Sequence, residues 1–236
     1  MRPQLPVHGR REATFSLLWI LANAVGGAVG GTFIDANWLV GIALFGLAGG
    51  ALEWIVLRPY LRAPVWWIPA TGVGGIFAWA ALPVYGLVAT ILFLLMQAVF
   101  VALRAVHIPI DAVISYALLT AASAAVGGAI GGAIVGAMQT PFLRRRAGSQ
   151  VSWIEASSRG AALAAAVTGA DLFLRVTEGL FGKLNPPRLT VGNGPSGFIE
   201  FPNGAASGAA FGLIYGLVTC LVLVQVLRHE ARAQER

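Results

Sequence analysis

The chain has 236 residues, of which 57% are hydrophobic and only 11% charged, with a mean hydropathy of +0.76. A water-soluble domain carries roughly a quarter of its residues charged, so a chain this apolar is expected to take lipid as its solvent and to form one integral membrane domain over residues 1–236. The net charge of +6 and the pI near 10.4 do not indicate nucleic acid: the arginines sit in short clusters between apolar runs, as loop charges beside membrane spans do, and make no continuous basic stripe.

The first apolar run, 15–33, follows Arg10 and Arg11 and contains Ala22-Asn23-Ala24, which imitates a cleaved secretory signal. It continues past that triplet without a polar break, and a close copy recurs later, so it is expected to be a retained span. Further runs near the roughly 20 residues needed to cross the hydrocarbon core are 38–57, 65–81, 84–103, 153–174 and 205–227. Between them lies 108–143, long enough for two spans with a turn near 124–128. Cys220 is the sole cysteine and lies in an apolar run, which excludes an intrachain disulfide.

The chain repeats itself. Shifted by 86, residues 50–74 fall on 136–160 with nine of 25 positions identical, Arg58/Arg144 and Trp67/Trp153 among them. A shift of 48 lays Trp19-Ile20 on Trp67-Ile68 and Val25-Gly26-Gly27 on Val73-Gly74-Gly75. Two kinds of helix alternate. One opens Trp-Ile-x-Ala followed by a polar residue, Asn23, Thr71 or Ser157. The other carries Gly-x-x-x-Gly and, three residues on, a polar group: Gly46, Gly50 and Glu53; Gly132, Gly136 and Gln139; Gly212, Gly216 and Thr219. The pattern predicts an all-α bundle of three similar helical hairpins, with repeat units at about 15–58, 65–144 and 153–228.

Charge orders the topologies. An eight-span bundle places 13 of the 16 Lys and Arg at the cytoplasmic side and leaves Arg175, Lys183 and Arg188 outside. Seven spans give a split of nine to seven, and six spans, the fallback, give twelve to four. Both termini are then cytoplasmic. The segment 178–207 is the one sizeable polar loop; Asn185-Pro186-Pro187 and Gly192-Asn193-Gly194-Pro195 punctuate strand-like pieces at 189–191 and 198–201, which suggests a small extracytoplasmic β-hairpin.

Gly-x-x-x-Gly lets a neighbouring backbone approach closely, so three copies predict tight packing. Trp66, Trp67 and Trp153, at span ends, are expected in the interfacial aromatic belt. A polar side chain at bilayer depth faces the bundle interior and has a partner, which makes Glu53, Gln139, Asn23, Thr71 and Ser157 the candidate intramembrane polar site. Gln139 in the repeat position of Glu53 keeps the hydrogen-bonding shape without the charge and favours a structural role. Glu155 and Arg159, four apart, are expected to pair, as are His107 and Asp111, and Asp171 with Arg175. No Walker-type loop follows the glycines, and the scattered His8, His107 and His229 predict neither a metal site nor a cofactor.

At 46–58 and 132–144, each followed by Trp-Ile, the chain resembles a group of uncharacterised bacterial multi-pass proteins that repeat Gly-x-x-x-Gly-x-x-Gln-Trp-x-x-Leu-Arg before a Trp-rich span. Here the pattern is split, with Glu53 and Trp54 in one copy and Gln139 and Thr140 in the other. The resemblance implies repeated helical hairpins in a bacterial cell membrane and carries no activity. Three functions stand open from sequence. The first is a structural or accessory protein packing against other membrane helices or its own copies in the bilayer. The second is a solute or ion pathway lined by Glu53 and Gln139. The third is a lipid-acting enzyme joining Glu53, His107 or Asp111 to a second reactive group.

Overall fold

The computed structural model describes residues 10–34, 38–61, 65–80, 112–147, 150–181 and 204–234, together with scattered helical residues between 87 and 105. Every regular element among them is an α-helix: α1 (Arg10–Ile34), α2 (Trp38–Leu61), α3 (Trp67–Ala80), α4 (Ala112–Ala147), α5 (Gln150–Phe181) and α6 (Gly204–Gln234). Glycine-rich segments such as these would be poor helices in water. In hydrocarbon the backbone has no other hydrogen-bond partner, and helix is the form that satisfies it within one segment. Four stretches are long and apolar enough to cross a membrane, Glu12–Phe33, Val40–Tyr60, Ala117–Leu143 and Gly204–Arg228, and Trp67–Ala78 is a shorter apolar helix. The protein is membrane-embedded.

One expectation about the spans is corrected. No turn interrupts α4 at 124–128; a single helix of 36 residues runs through it. The glycines there serve packing instead. A Cβ on Gly128 would stand 2.3 Å from the Ala161 carbonyl oxygen of α5, so the residue that reads as a hinge is a point where two backbones touch. The two spans expected on either side of that turn are one helix. The proposed β-hairpin at 189–191 and 198–201, together with His107 and Asp111, lies outside the described residues, as do the side chains of Asp171 and Arg175.

The six helices form a closed ring in chain order, each touching the next and α6 returning to α1. Neighbours are antiparallel: Gly26 lies on Gly49 while Gly30 lies on Phe45, and Gly46 meets Gly72 while Gly50 meets Ile68. Three of the joints are backbone-close and equivalent. Gly50 of α2 stands against Thr71 of α3, Gly136 of α4 against Ser157 of α5, and Gly216 of α6 against Asn23 of α1, each hypothetical Cβ coming within 2.9 Å of its neighbour. The Gly-x-x-x-Gly face of each unit therefore packs on the Trp-Ile-x-Ala face of the next, across the unit boundaries inferred from the repeat. The last of the three joins is made without a connecting loop. Its helices are stripped to glycine on both sides, Gly27 against Gly208 and Gly31 against Gly204, with Cβ-to-oxygen separations of 2.0 Å.

The core lies towards the arginine-flanked ends of the helices. Leu57, Leu143 and Leu223, at equivalent places in α2, α4 and α6, are buried in one cluster with Trp19, Trp67, Trp153 and Phe15. Leucines 17, 18, 21 and 47, Ile55, Leu118 and Leu221 face outward, as lipid-facing side chains do.

Candidate functional site

The polar residues picked from the repeat lie together inside the ring. Glu53, Gln139, Thr219 and Ser157 are essentially inaccessible, and Asn23 and Thr71 are no more than 9% exposed. The two helix types alternate around an axis, so a polar group from each Gly-x-x-x-Gly helix and a tryptophan from each Trp-Ile helix arrive at one level.

Three indole bonds follow one rule. Trp67 Nε1 donates to Glu53 Oε2 at 2.9 Å, Trp153 Nε1 to Gln139 Oε1 at 3.1 Å, and Trp19 Nε1 to Thr219 Oγ1 at 3.0 Å. The first two pairs are 14 residues apart in the chain and the third 200, yet all three occupy equivalent places in the ring. Across the axis, the indole of Trp153 lies 6.3 Å from that of Trp19 and 6.1 Å from that of Trp67, centroid to centroid. Tryptophan reaches across because its ring is apolar while its one N–H seeks a buried acceptor.

The three units are tied to each other through Gln139. Its Nε2 donates to Thr71 Oγ1 at 2.9 Å and to Glu53 Oε2 at 3.3 Å, while its Oε1 receives Trp153. One amide thus links α2, α3, α4 and α5. The Asn23 amide donates to the Trp19 carbonyl oxygen at 3.0 Å. Tyr215 donates its hydroxyl hydrogen to Ser157 Oγ at 3.3 Å, and Thr71 and Thr219 return their own hydroxyl hydrogens to carbonyls one turn back. Among the described residues no buried side-chain nitrogen or oxygen lacks a partner. The partners found for Glu53 are all neutral donors.

Several sequence expectations meet this geometry. Trp66 is 67% exposed, in keeping with an interfacial place, but Trp67 and Trp153 are 0% and 2% exposed and belong to the core, a correction to the aromatic-belt assignment. Their position at the span edge is the same in either case; the acceptor 14 residues earlier draws them inward. Glu155 and Arg159 form an ion pair on the outer surface of α5. Arg58 lies 5.2 Å over the Trp54 ring rather than on Glu53. The sequence reading passed over Tyr215, whose repeat counterparts are Gly49 and Val135 and which no periodicity flags. It also passed over the pairing of Thr219 with Trp19 and the Glu12–Arg228 ion pair that joins the first and last helices, Arg228 Nε to Glu12 Oε1 at 3.0 Å.

Among the described residues, no three His, Cys, Asp or Glu side chains group as metal ligands do. A shallow, open apolar depression of about 490 Å³ lies away from this core, on the outer face of α4 and α5, bordered by Ala129, Ala133, Ala137, Ile154 and Ser158. No protein-family profile, curated protein or solved structure matches the chain.

Proposed function

We propose that this chain is a structural or accessory multi-pass protein of the bacterial cytoplasmic membrane, acting through the outer faces of its helix ring. The observation that carries the reading is the self-satisfied polar core. Glu53, Gln139, Thr71 and Thr219 answer one another or the three indoles, Asn23 the Trp19 carbonyl and Ser157 the Tyr215 hydroxyl, so the groups with chemical reach are spent on holding helices together. A transport path or a reaction site needs polar groups left open to solute or water, whereas a scaffold needs them closed. The outer surface, apolar and grooved, is the part free to meet a partner.

The topology that accompanies this reading has six spans, both termini in the cytoplasm and the units in one orientation. The antiparallel packing of α4 on α3, Gly74 against Val135 and Thr71 against Gln139, supports six spans over seven. A continuous α4 in place of two expected spans supports the six-span fallback over eight.

Purification in mild detergent tests the proposal. A defined complex, with itself or with other membrane proteins, is the expected result. A monomer with no partner, together with Glu53→Gln abolishing uptake of a solute by whole cells, would transfer the assignment to the alternative, a solute or ion pathway lined by Glu53 and Gln139.

A further inference from the structure

The ring is sealed at one end only. The level of Glu53, Gln139 and Thr219 is buried in all three units, and so is the leucine level one turn towards the arginines. One and two turns the other way, the equivalent positions are 49, 135 and 215, then 45, 131 and 211, and all six keep accessible surface. Aromatic rings border the space they leave. Phe45 and Phe211 lie on helices that α1 separates, yet their rings meet edge to face with centroids 5.9 Å apart, and Phe211 stacks on Tyr215 at 6.5 Å. The Tyr215 hydroxyl donates to Ser157 Oγ of α5, so these rings reach across the interior and do not face lipid. One turn from Phe45, a Cβ on Gly49 would meet no atom within 4 Å, which leaves room beside them.

We propose that this inner space binds a small organic cation, held by the faces of Phe45, Phe211 and Tyr215 above the Glu53 carboxyl. The proposal goes beyond the accessory reading and does not depend on it. The face of an aromatic ring is negative and attracts a cation, more strongly out of water than in it. Glu53 lies one turn deeper than Gly49, about 6 Å along the helix. Among the described residues its hydrogen-bond donors are the neutral Trp67 and Gln139, and no Lys or Arg pairs with it. A cation at the next level supplies that counter-charge through a low-dielectric interior without touching the carboxyl. A neutral lipid chain gains nothing from either feature, and each helix touches the next around the ring, which bars lateral entry. The tryptophan and leucine cluster closes the other end, so the space is a binding site and not a passage.

The test uses the purified full chain in mild detergent, with trimethylphenylammonium as the probe and tert-butylbenzene, its uncharged counterpart of the same shape, as competitor. Equilibrium dialysis against protein-free micelles is expected to show saturable binding at one site per chain, with tert-butylbenzene at least tenfold weaker. Gly49→Leu fills the space and should abolish binding. Phe45→Leu and Phe211→Leu keep the bulk but lose the ring and should each weaken binding at least fivefold. Glu53→Gln should weaken it at least tenfold with the thermal unfolding midpoint little changed, and Ile55→Ala, on the outer face, should leave it as it was. Absence of saturable binding overturns the proposal. So does equal competition by tert-butylbenzene, which would mark an apolar site, or binding indifferent to both E53Q and F211L in folded protein. None of these results bears on the accessory reading, which the search for a membrane complex decides.

Discussion

Replacing Gly212 with alanine isolates what the backbone-close joints are worth. The added Cβ would lie 2.0 Å from the Asn23 carbonyl oxygen, a backbone atom that no rotamer change can move aside. To regain the 3.0 Å below which real Cβ contacts essentially never fall, α6 and α1 must part by about 1 Å. A gap of 0.5–1 Å forfeits roughly a quarter to a half of each dispersion contact along the seam, and overpacking of this kind costs about 1–3 kcal/mol. The Trp19–Thr219 bond, 3.0 Å long across the same seam, would stretch beyond hydrogen-bonding range; in membranes such a bond contributes about 0.6 kcal/mol and at most about 1.7. The expected loss is therefore about 2–4 kcal/mol. Gly49→Ala is the internal control, since its Cβ would meet nothing within 4 Å, and the gain in helix propensity of up to about 1 kcal/mol makes it neutral or mildly stabilising. Reversible unfolding in mixed detergent micelles reads both. Equal stability of G212A and G49A would refute the argument that backbone contact holds the ring.

The polar core makes three further predictions. Glu53→Gln should be tolerated to within about 1 kcal/mol, because a glutamine oxygen can accept from both Trp67 and Gln139 and the second unit already uses glutamine, whereas Gln139→Leu leaves several buried groups without partners at about 1–3 kcal/mol each; the same unfolding assay ranks them. Gln139→Glu sets two carboxyls together in a low-dielectric core, where both cannot be ionised, so its unfolding midpoint should fall as pH rises while that of the parent changes less. Arg228→Ala removes the exposed ion pair with Glu12; solvent-screened pairs of this kind contribute little, and the midpoint should stay where it was at both low and high salt.

Much of this architecture is legible in the sequence, for a physical reason. Arg58/Arg144 and Trp67/Trp153 recur in one register, which apolar composition alone does not produce, and a buried polar residue three places after Gly-x-x-x-Gly points where its glycines point. The closure of the ring is not legible. Trp67 and Trp153 each follow their acceptor by 14 residues, but Trp19 precedes Thr219 by 200, and nothing local to either residue announces the bond. Gly128 illustrates a second limit. A glycine pair in an apolar run serves equally as a turn or as a place where another backbone rests, and the choice is made by Ala161, a residue 33 positions away. The interfacial assignment of Trp67 and Trp153 failed similarly, because an indole at a span edge can turn to the headgroups or to a buried acceptor, and the acceptor sits on a different helix.

The account turns on α6 meeting α1 as α2 meets α3 and α4 meets α5. A double-mutant cycle of Trp19→Phe with Thr219→Val, run beside Trp153→Phe with Gln139→Leu, measures this directly. Coupling of similar size in both pairs, on the order of 0.6–1.7 kcal/mol, is the outcome of a closed ring. A coupling of zero between Trp19 and Thr219, with the Trp153–Gln139 coupling intact, would mean that the ring is open and that the first and last helices do not meet.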